Sequence, residues 1–171
     1  AERLFVETID AAEVDLPRDD PRWVMLYNGL GGLYMRTGRV EQAEPLVARA
    51  AESLAGLAGE DHPDVLRLRS NHAVVLLKLG RNQACLDEAR GVLDRAIAVR
   101  GPADPLAVDL CRTMASAMRG LGRLEEARAF LTERRAAAAG VAGAGGSAEA
   151  ESRELARLDE AIADLDRPEG G

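Results

Sequence analysis

Apolar and small residues recur three and four positions apart along most of the chain, which is the spacing of one face of an α-helix. Three stripes of this kind occupy equivalent places in successive segments. They are Leu30, Gly31 and Tyr34, then His72, Ala73 and Leu76, then Met114, Ala115 and Met118. The pattern predicts an all-α protein in which each stripe faces inward.

The helical pattern returns at a constant period. Gly38, Gly80 and Gly122 are spaced 42 residues apart, and the same step relates Pro21, Pro63 and Pro105. A proline suits the first position of a helix, and Asp20 and Asp104 stand where a capping carboxylate is expected. A glycine in the left-handed conformation commonly ends a helix. We therefore predict a helical hairpin as the repeating unit, with a helix beginning at each proline.

The second helix of each hairpin carries a small residue at one fixed place. These residues are Ala43, Cys85 and Ala127. Small side chains at facing positions allow two helix axes to approach to the short end of the usual packing range of about 8–10 Å. Close helix packing accounts for the size restriction without a functional role.

Three stretches carry a family resemblance: PRWVMLYNGLGGLYMRTGRVEQAEPLVARA, HPDVLRLRSNHAVVLLKLGRNQACLDEA and DPLAVDLCRTMASAMRGLGRLEEARAFL. Together they resemble the tetratricopeptide repeat, and the 42-residue step with the HPDV-type start is similar to the kinesin-light-chain variety. The resemblance covers residues 1 to about 135. It implies a right-handed α-solenoid of antiparallel helix hairpins, with a C-terminal capping helix and with the first helices lining a concave groove.

The expected organisation has six segments. Residues 1–18 would be the second helix of a preceding, truncated repeat, so we expect the chain to be part of a longer protein. Residues 21–62, 63–104 and 105–140 would be repeats, 141–147 a Gly/Ala linker and 148–166 an amphipathic helix that caps the last repeat. Binding of a partner or a second copy by this last helix is the alternative.

The resemblance also implies a peptide-binding groove. Its residues follow when the family's groove-facing positions within each repeat are carried over to this sequence one by one. These positions give Asn28, Met35, Arg36, Arg67, Ser70, Asn71, Val74, Lys78, Asp109, Arg112, Ser116 and Arg119, and Met25 occupies a further one. Basic residues outnumber the single carboxylate, Asp109, which favours an extended peptide with acidic residues. Solvated surface arginines are the alternative. Gly32 and Asp109 stand where the family's carboxylate clamp needs Asn and Lys, which argues against that clamp.

Composition narrows the possible partners and compartment. The chain has 22 basic and 29 acidic residues, a net charge of -7 that disfavours nucleic acid. No apolar run approaches the roughly 20 residues that cross a bilayer. The two cysteines, Cys85 and Cys111, are too few for a disulfide framework. We expect a cytoplasmic protein, monomeric rather than oligomeric, whose partner is a protein or peptide.

No residue pattern indicates catalysis, a cofactor or a metal. His72 and Cys111 occupy inner positions of neighbouring first helices, so a Cys/His dyad is conceivable, but no third group to orient it is evident. His62 precedes Pro63 and is expected to cap a helix. We therefore expect a protein-interaction scaffold that is not an enzyme. The alternative is a sensor or regulatory region of a larger signalling ATPase, protease or transcription regulator.

Overall fold

A computed structural model describes residues 2–17, 20–140 and 148–167, and these contain helices and no β-strand. The helices are α1 (Glu2–Asp15), α2 (Arg22–Arg36), α3 (Val40–Ala58), α4 (Pro63–Lys78), α5 (Asn82–Arg100), α6 (Pro105–Gly120), α7 (Leu124–Gly140) and α8 (Ala148–Asp164). The expected linker over 141–147 lies outside the described residues, as does residue 18. The chain divides into two compact units, Ala1–Leu79 and Gly80–Gly171. The boundary falls inside the segment 63–104, and the division into repeats stays a prediction.

Two of the three predicted helix starts are confirmed. Helices α4 and α6 begin at Pro63 and Pro105. The Nδ1 atom of His62 accepts a hydrogen bond from the backbone N–H of Asp64 at 3.2 Å, so His62 is a cap. Asp104 does the same for α6, accepting from the N–H of Leu106 at 2.9 Å. Capping oxygens or nitrogens of this kind satisfy N–H groups that have no partner within the helix.

Helix α2 begins at Arg22, one residue after the predicted Pro21. Pro21 already has helical backbone angles, and Asp20 Oδ1 accepts the N–H of Arg22 at 2.8 Å. The Arg22 side chain also donates to Asp20, and together these bonds lower the pKa of the carboxyl to about 2. The predicted cap is present and only the first helical residue differs. The first turn is closed by tighter i→i−3 backbone bonds, in which the N–H groups of Trp23 and Val24 donate to the carbonyls of Asp20 and Pro21.

The predicted glycine turns are confirmed. Gly38, Gly80 and Gly122 have φ angles of 76°, 69° and 74°, the left-handed region that residues with a Cβ rarely adopt. Gly38 and Gly122 lie in the short connections between α2 and α3 and between α6 and α7, where the chain reverses direction. Gly80 follows α4.

In the first unit, helices α1 to α3 pack side by side with alternating direction. Phe5 near the start of α1 packs beside Leu30 and Tyr34 near the end of α2, and the start of α3 packs there too. At the other end, α3 residues Ala50 and Ala51 pack with Leu68 of α4. The predicted inward stripe of α2 is confirmed, since Leu30, Gly31 and Tyr34 are buried.

In the second unit, α6 lies at the centre and buries nine side chains between α5, α7 and α8. Met114, Ala115 and Met118 are among them, as the periodicity predicts. The three small residues of the second helices, Ala43, Cys85 and Ala127, have no exposed surface. The prediction that they are close-packing positions therefore agrees with the structure.

Candidate peptide-binding surface

The predicted groove residues of the first unit lie on α2 and α4. Met25, Asn28, Arg36, Arg67, Asn71 and Lys78 are exposed, and Met35 and Val74 are half-buried. We call these eight residues the α2–α4 surface. Ser70 is different, because only 7% of it is exposed, so it offers little to a ligand. Ser70 faces inward because it follows Leu66 on the buried side of α4 by one helical turn.

A surface cavity of about 290 Å³ lies at the N-terminal ends of α2 and α4. Three groove positions from the sequence, Met25, Asn28 and Arg67, line it. Its other lining residues are Pro21, Val24, Leu54, Asp64 and Leu68. The cavity thus has apolar walls from three helices and a polar rim.

The sequence did not single out the apolar part of this cavity. Leu54 belongs to α3, and Leu68 is almost fully buried in the α3–α4 contact. Both residues continue the apolar stripes of their helices, and this periodicity was the only feature of the sequence that could have indicated them. Their position in a cavity wall depends on where α3 passes behind α2 and α4, and periodicity along one helix does not contain that information.

The charged rim of the cavity is a weak ion pair. Arg67 donates to Asp64 Oδ1 at 3.1 Å, and more than half of each side chain is exposed. Exposed pairs three residues apart on a helix are strongly screened by water. The guanidinium can therefore exchange Asp64 for a ligand carboxylate, with which it could form two parallel hydrogen bonds.

The predicted groove residues of the second unit lie on α6, where α8 contacts two of them. Asp109 forms an ion pair with Arg157 of α8. Arg119 donates to the backbone carbonyls of Asp164 and Arg167, at 3.1 and 3.0 Å. From the sequence we placed both residues in an open groove, because neither role considered for α8, capping or binding a partner or second copy, included contacts with these side chains.

The other two residues of this set make local contacts on α6. Arg112 lies 4.0 Å from Asp109, and the Ser116 hydroxyl donates to the backbone carbonyl of Arg112 at 3.0 Å. Ser116 is exposed and Arg112 is half-buried. Neither residue needs α8 for these contacts.

The two residues considered for a catalytic dyad, Cys111 and His72, are packed between helices. Cys111 is 3% exposed, and burial raises the pKa of its thiol to about 12. A nucleophilic cysteine needs a lowered pKa to supply thiolate near neutral pH. His72 Nε2 lies 3.5 Å from Glu44 Oε1 in the α3–α4 contact. Cys111 thus behaves as a small buried hydrophobic residue, and the inner position of His72 is matched by a carboxylate on the adjacent helix.

Two further properties concern the described residues only. No helix in 2–17, 20–140 or 148–167 is both long and apolar enough to cross a bilayer. Over the same ranges, no three His, Cys, Asp or Glu side chains group together as a metal ion would require.

Comparison with known proteins identifies the repeat. Residues 24–84 match the tetratricopeptide repeat model. No curated protein sequence matches the chain. Among solved structures, a Podosopora anserina protein with nearly identical TPR-like repeats, assigned to the kinesin light chains, is similar over 95% of this chain and 78% of its own, with 20% identity and a TM-score of 0.72. A variant form of that protein gives 21% identity and a TM-score of 0.74, over 95% of this chain and 77% of its own.

A further solved structure has the same fold. BtubC (BKLC) from P. vanneervenii matches 100% of this chain and 75% of its own, with 17% identity and a TM-score of 0.65. The predicted all-α class, built from tetratricopeptide-type hairpins, is confirmed. Residues 24–84 therefore match tetratricopeptide repeats, and the chain shares its fold with solved structures of the kinesin-light-chain type, as the sequence pattern predicts.

Proposed function

We propose that this chain binds a peptide segment of a partner protein on the α2–α4 surface. Tetratricopeptide repeats and the similar structures support a protein-interaction role in general. The finer proposal rests on one observation, the cavity that Met25, Asn28 and Arg67 share.

The apolar walls of the cavity favour an apolar side chain in the ligand. Met25, which lines the cavity, has 68% of its surface exposed. An apolar side chain seated here would remove part of the exposed walls from solvent, which is favourable in proportion to the area covered.

The polar rim favours a carboxylate next to that apolar residue. Arg67 supplies a guanidinium that is held only by an exposed, screened pair. Asn28 supplies an amide that can both donate to and accept from a peptide backbone. A segment that places Asp or Glu beside an apolar residue would therefore satisfy the walls and the rim together.

Selection from a displayed library of random peptides on the full chain tests the proposal. We expect the enriched sequences to pair an apolar residue with Asp or Glu. Arg67→Glu should then lower their affinity about tenfold or more, because it replaces attraction by repulsion at a close charge pair. The matched control is Arg90→Glu, which makes the same charge change at an exposed position of α5.

Two results would contradict the proposal. One is a library in which no sequences are enriched. The other is an equal loss of affinity in Arg67→Glu and Arg90→Glu, which would show that net charge, and not the cavity rim, determines binding. Circular dichroism of both variants should show unchanged helicity, since both residues are exposed.

A further inference from the structure

Charged groups flank helix α8 where it packs on α6 and α7. Arg128 and Arg135 of α7 pair with Asp166 and Asp159, respectively. On the other side, Asp109 of α6 pairs with Arg157. The order of these pairs shows that α8 runs antiparallel to α7. Exposed pairs of this kind add little free energy in water, but they fix the register of one helix on another.

The apolar contact of α8 is small compared with that of its neighbour. Within the described residues, α8 buries Leu158 and Ala161 together with Glu154, whereas α6 buries nine side chains. Leu155 and Ile162 are only half-buried. A helix with few buried contacts and many exposed ones can open locally while the rest of the unit stays folded.

The surface under α8 is complementary to an acidic helix. Arg128 and Arg135 of α7 are seven residues apart, about two helical turns. Their partners are also seven residues apart: Asp159 lies in α8, and Asp166 lies two residues after its end. Arg119 adds donors to the carbonyls at the C-terminal end of α8, where a helix has unsatisfied acceptors. Helix α8 itself has six carboxylates and two arginines. We call the contact residues Asp109, Arg119, Arg128 and Arg135 the α6–α7 face.

We propose that the α6–α7 face is a binding site for an acidic amphipathic helix of a partner protein, and that α8 is a tethered, displaceable occupant of it. The expected ligand has two carboxylates seven residues apart and a buried leucine directly before the first of them, as α8 has Leu158 before Asp159. This site does not depend on whether the α2–α4 surface binds a peptide.

The test uses a fluorescent peptide of residues 148–167 as the probe and the full chain as the receptor. In the unmodified chain the tethered α8 competes at a high effective concentration, so the probe should bind weakly. A chain with Asp159→Arg and Asp166→Arg loses both pairs to α7, so its own α8 should compete less. We expect the probe to bind this loosened chain at least about tenfold more tightly than the unmodified chain.

A matched control makes the same change of charge away from the face. Glu149 and Glu160 are exposed residues of α8 that take no part in the four contacts described above. A chain with Glu149→Arg and Glu160→Arg should bind the probe as weakly as the unmodified chain. A probe that itself carries Asp159→Arg and Asp166→Arg should not bind the loosened chain.

A charge exchange separates docking from a general loss of structure. Adding Arg128→Asp and Arg135→Asp to the loosened chain re-forms both pairs with reversed sign, so α8 should dock again. This variant should again exclude the unmodified probe. If the first two substitutions had only disrupted the fold, the further substitutions in α7 would not restore exclusion of the probe.

Hydrogen exchange of the unmodified chain is an independent measurement. Amides of α8 should exchange faster than those of α6 and α7, and added salt should accelerate α8 selectively by screening its pairs. The proposal is overturned if α8 exchanges only together with α6 and α7, or if the probe binds the loosened and unmodified chains equally. It is also overturned if the loosened chain dimerises and excludes the probe, because α8 of a second copy would then be the occupant.

Discussion

At the scale of single residues, one position in each second helix determines how closely two helices pack. Cys85 has no exposed surface, as is true of the equivalent Ala43 and Ala127. The sequence predicts a small residue here from its recurrence alone, and in the structure each of the three side chains is fully buried.

Enlarging this position should destabilise the protein. We expect Cys85→Leu to lower the free energy of unfolding by about 1–3 kcal/mol, because a well-packed site must distort to accept more carbon atoms. Urea unfolding followed by circular dichroism measures this. Ala84→Leu, an exposed position on the same helix, is the control and should be near neutral. A neutral Cys85→Leu would show that the site has spare volume.

The buried thiols should be unreactive in the folded protein. Burial raises the pKa of Cys111 to about 12, so the thiol form dominates up to high pH. We expect Ellman's reagent at neutral pH to modify Cys111 only after unfolding, with Cys111→Ala identifying its signal. Fast modification of Cys111 in the native protein would contradict the packing described for α6.

The same shift predicts a loss of stability at high pH. The unfolded chain releases the Cys111 proton near pH 9, whereas the folded chain keeps it to about pH 12. Unfolding is therefore favoured progressively between these values. Unfolding free energies measured from neutral to alkaline pH should fall less in Cys111→Ala than in the unmodified chain.

At the scale of helices, glycines inside a helix differ in how much space the neighbouring helices leave for a side chain. In α3 and α5, Gly56 and Gly91 have no atom within 4 Å of where a Cβ would stand. Gly31 in α2 has Val47 Cγ2 of α3 at 3.0 Å from that point. Helix propensity favours alanine over glycine at all three positions. The positions differ in whether a neighbouring helix lies close to the added Cβ.

This difference gives a test of the α2–α3 contact. Gly56→Ala and Gly91→Ala should each stabilise the protein by roughly 0.5–1 kcal/mol, since alanine has less freedom to lose in the helix. Gly31→Ala should give a smaller gain or a loss, because Val47 has to move. The measurement is urea unfolding of the three variants. An equal gain from all three would mean that α2 and α3 pack less closely than described.

The Asp20 cap of α2 should contribute to the stability of the protein, and this contribution should be lost at low pH. Arg22 lowers the pKa of Asp20 from 3.8 to about 2. A lowered pKa in the folded state stabilises the protein above the unfolded pKa, and the gain is lost as pH falls toward 2. Asp20→Asn should therefore reduce the loss of stability between pH 4 and 2 in thermal unfolding scans. An unchanged acid profile would show that the Asp20–Arg22 pair is not maintained in solution.

At the scale of the whole molecule, the charge is uneven. The net charge is -7, yet the α2–α4 surface contains Arg36, Arg67 and Lys78, and Asp64 on the cavity rim pairs with Arg67. The screening length falls from about 10 Å at 0.1 M salt to about 3 Å at 1 M. Peptides selected on this surface should bind more weakly as salt rises. Their Asp→Asn and Glu→Gln forms, the control, should respond less, and equal responses would exclude a role for these charges.

The sequence by itself determined the local features of this protein. Helices α4 and α6 begin at prolines with a capping neighbour, and stripes such as Leu30 to Tyr34 are buried. Capping and helical periodicity involve residues close together in the chain, so the sequence contains them. It also determined that α2 and α4 present exposed polar residues, since the residues left outside the buried stripe of a helix face outward.

Only the tertiary structure decided what those residues meet. Leu54 forms a wall of the cavity beside Arg67 because α3 passes behind α2 and α4. Asp109 is bound by Arg157, which is 48 residues away in the chain. Such contacts depend on the position and rotation of one helix against another, and the charge pattern of either helix alone is compatible with several partners.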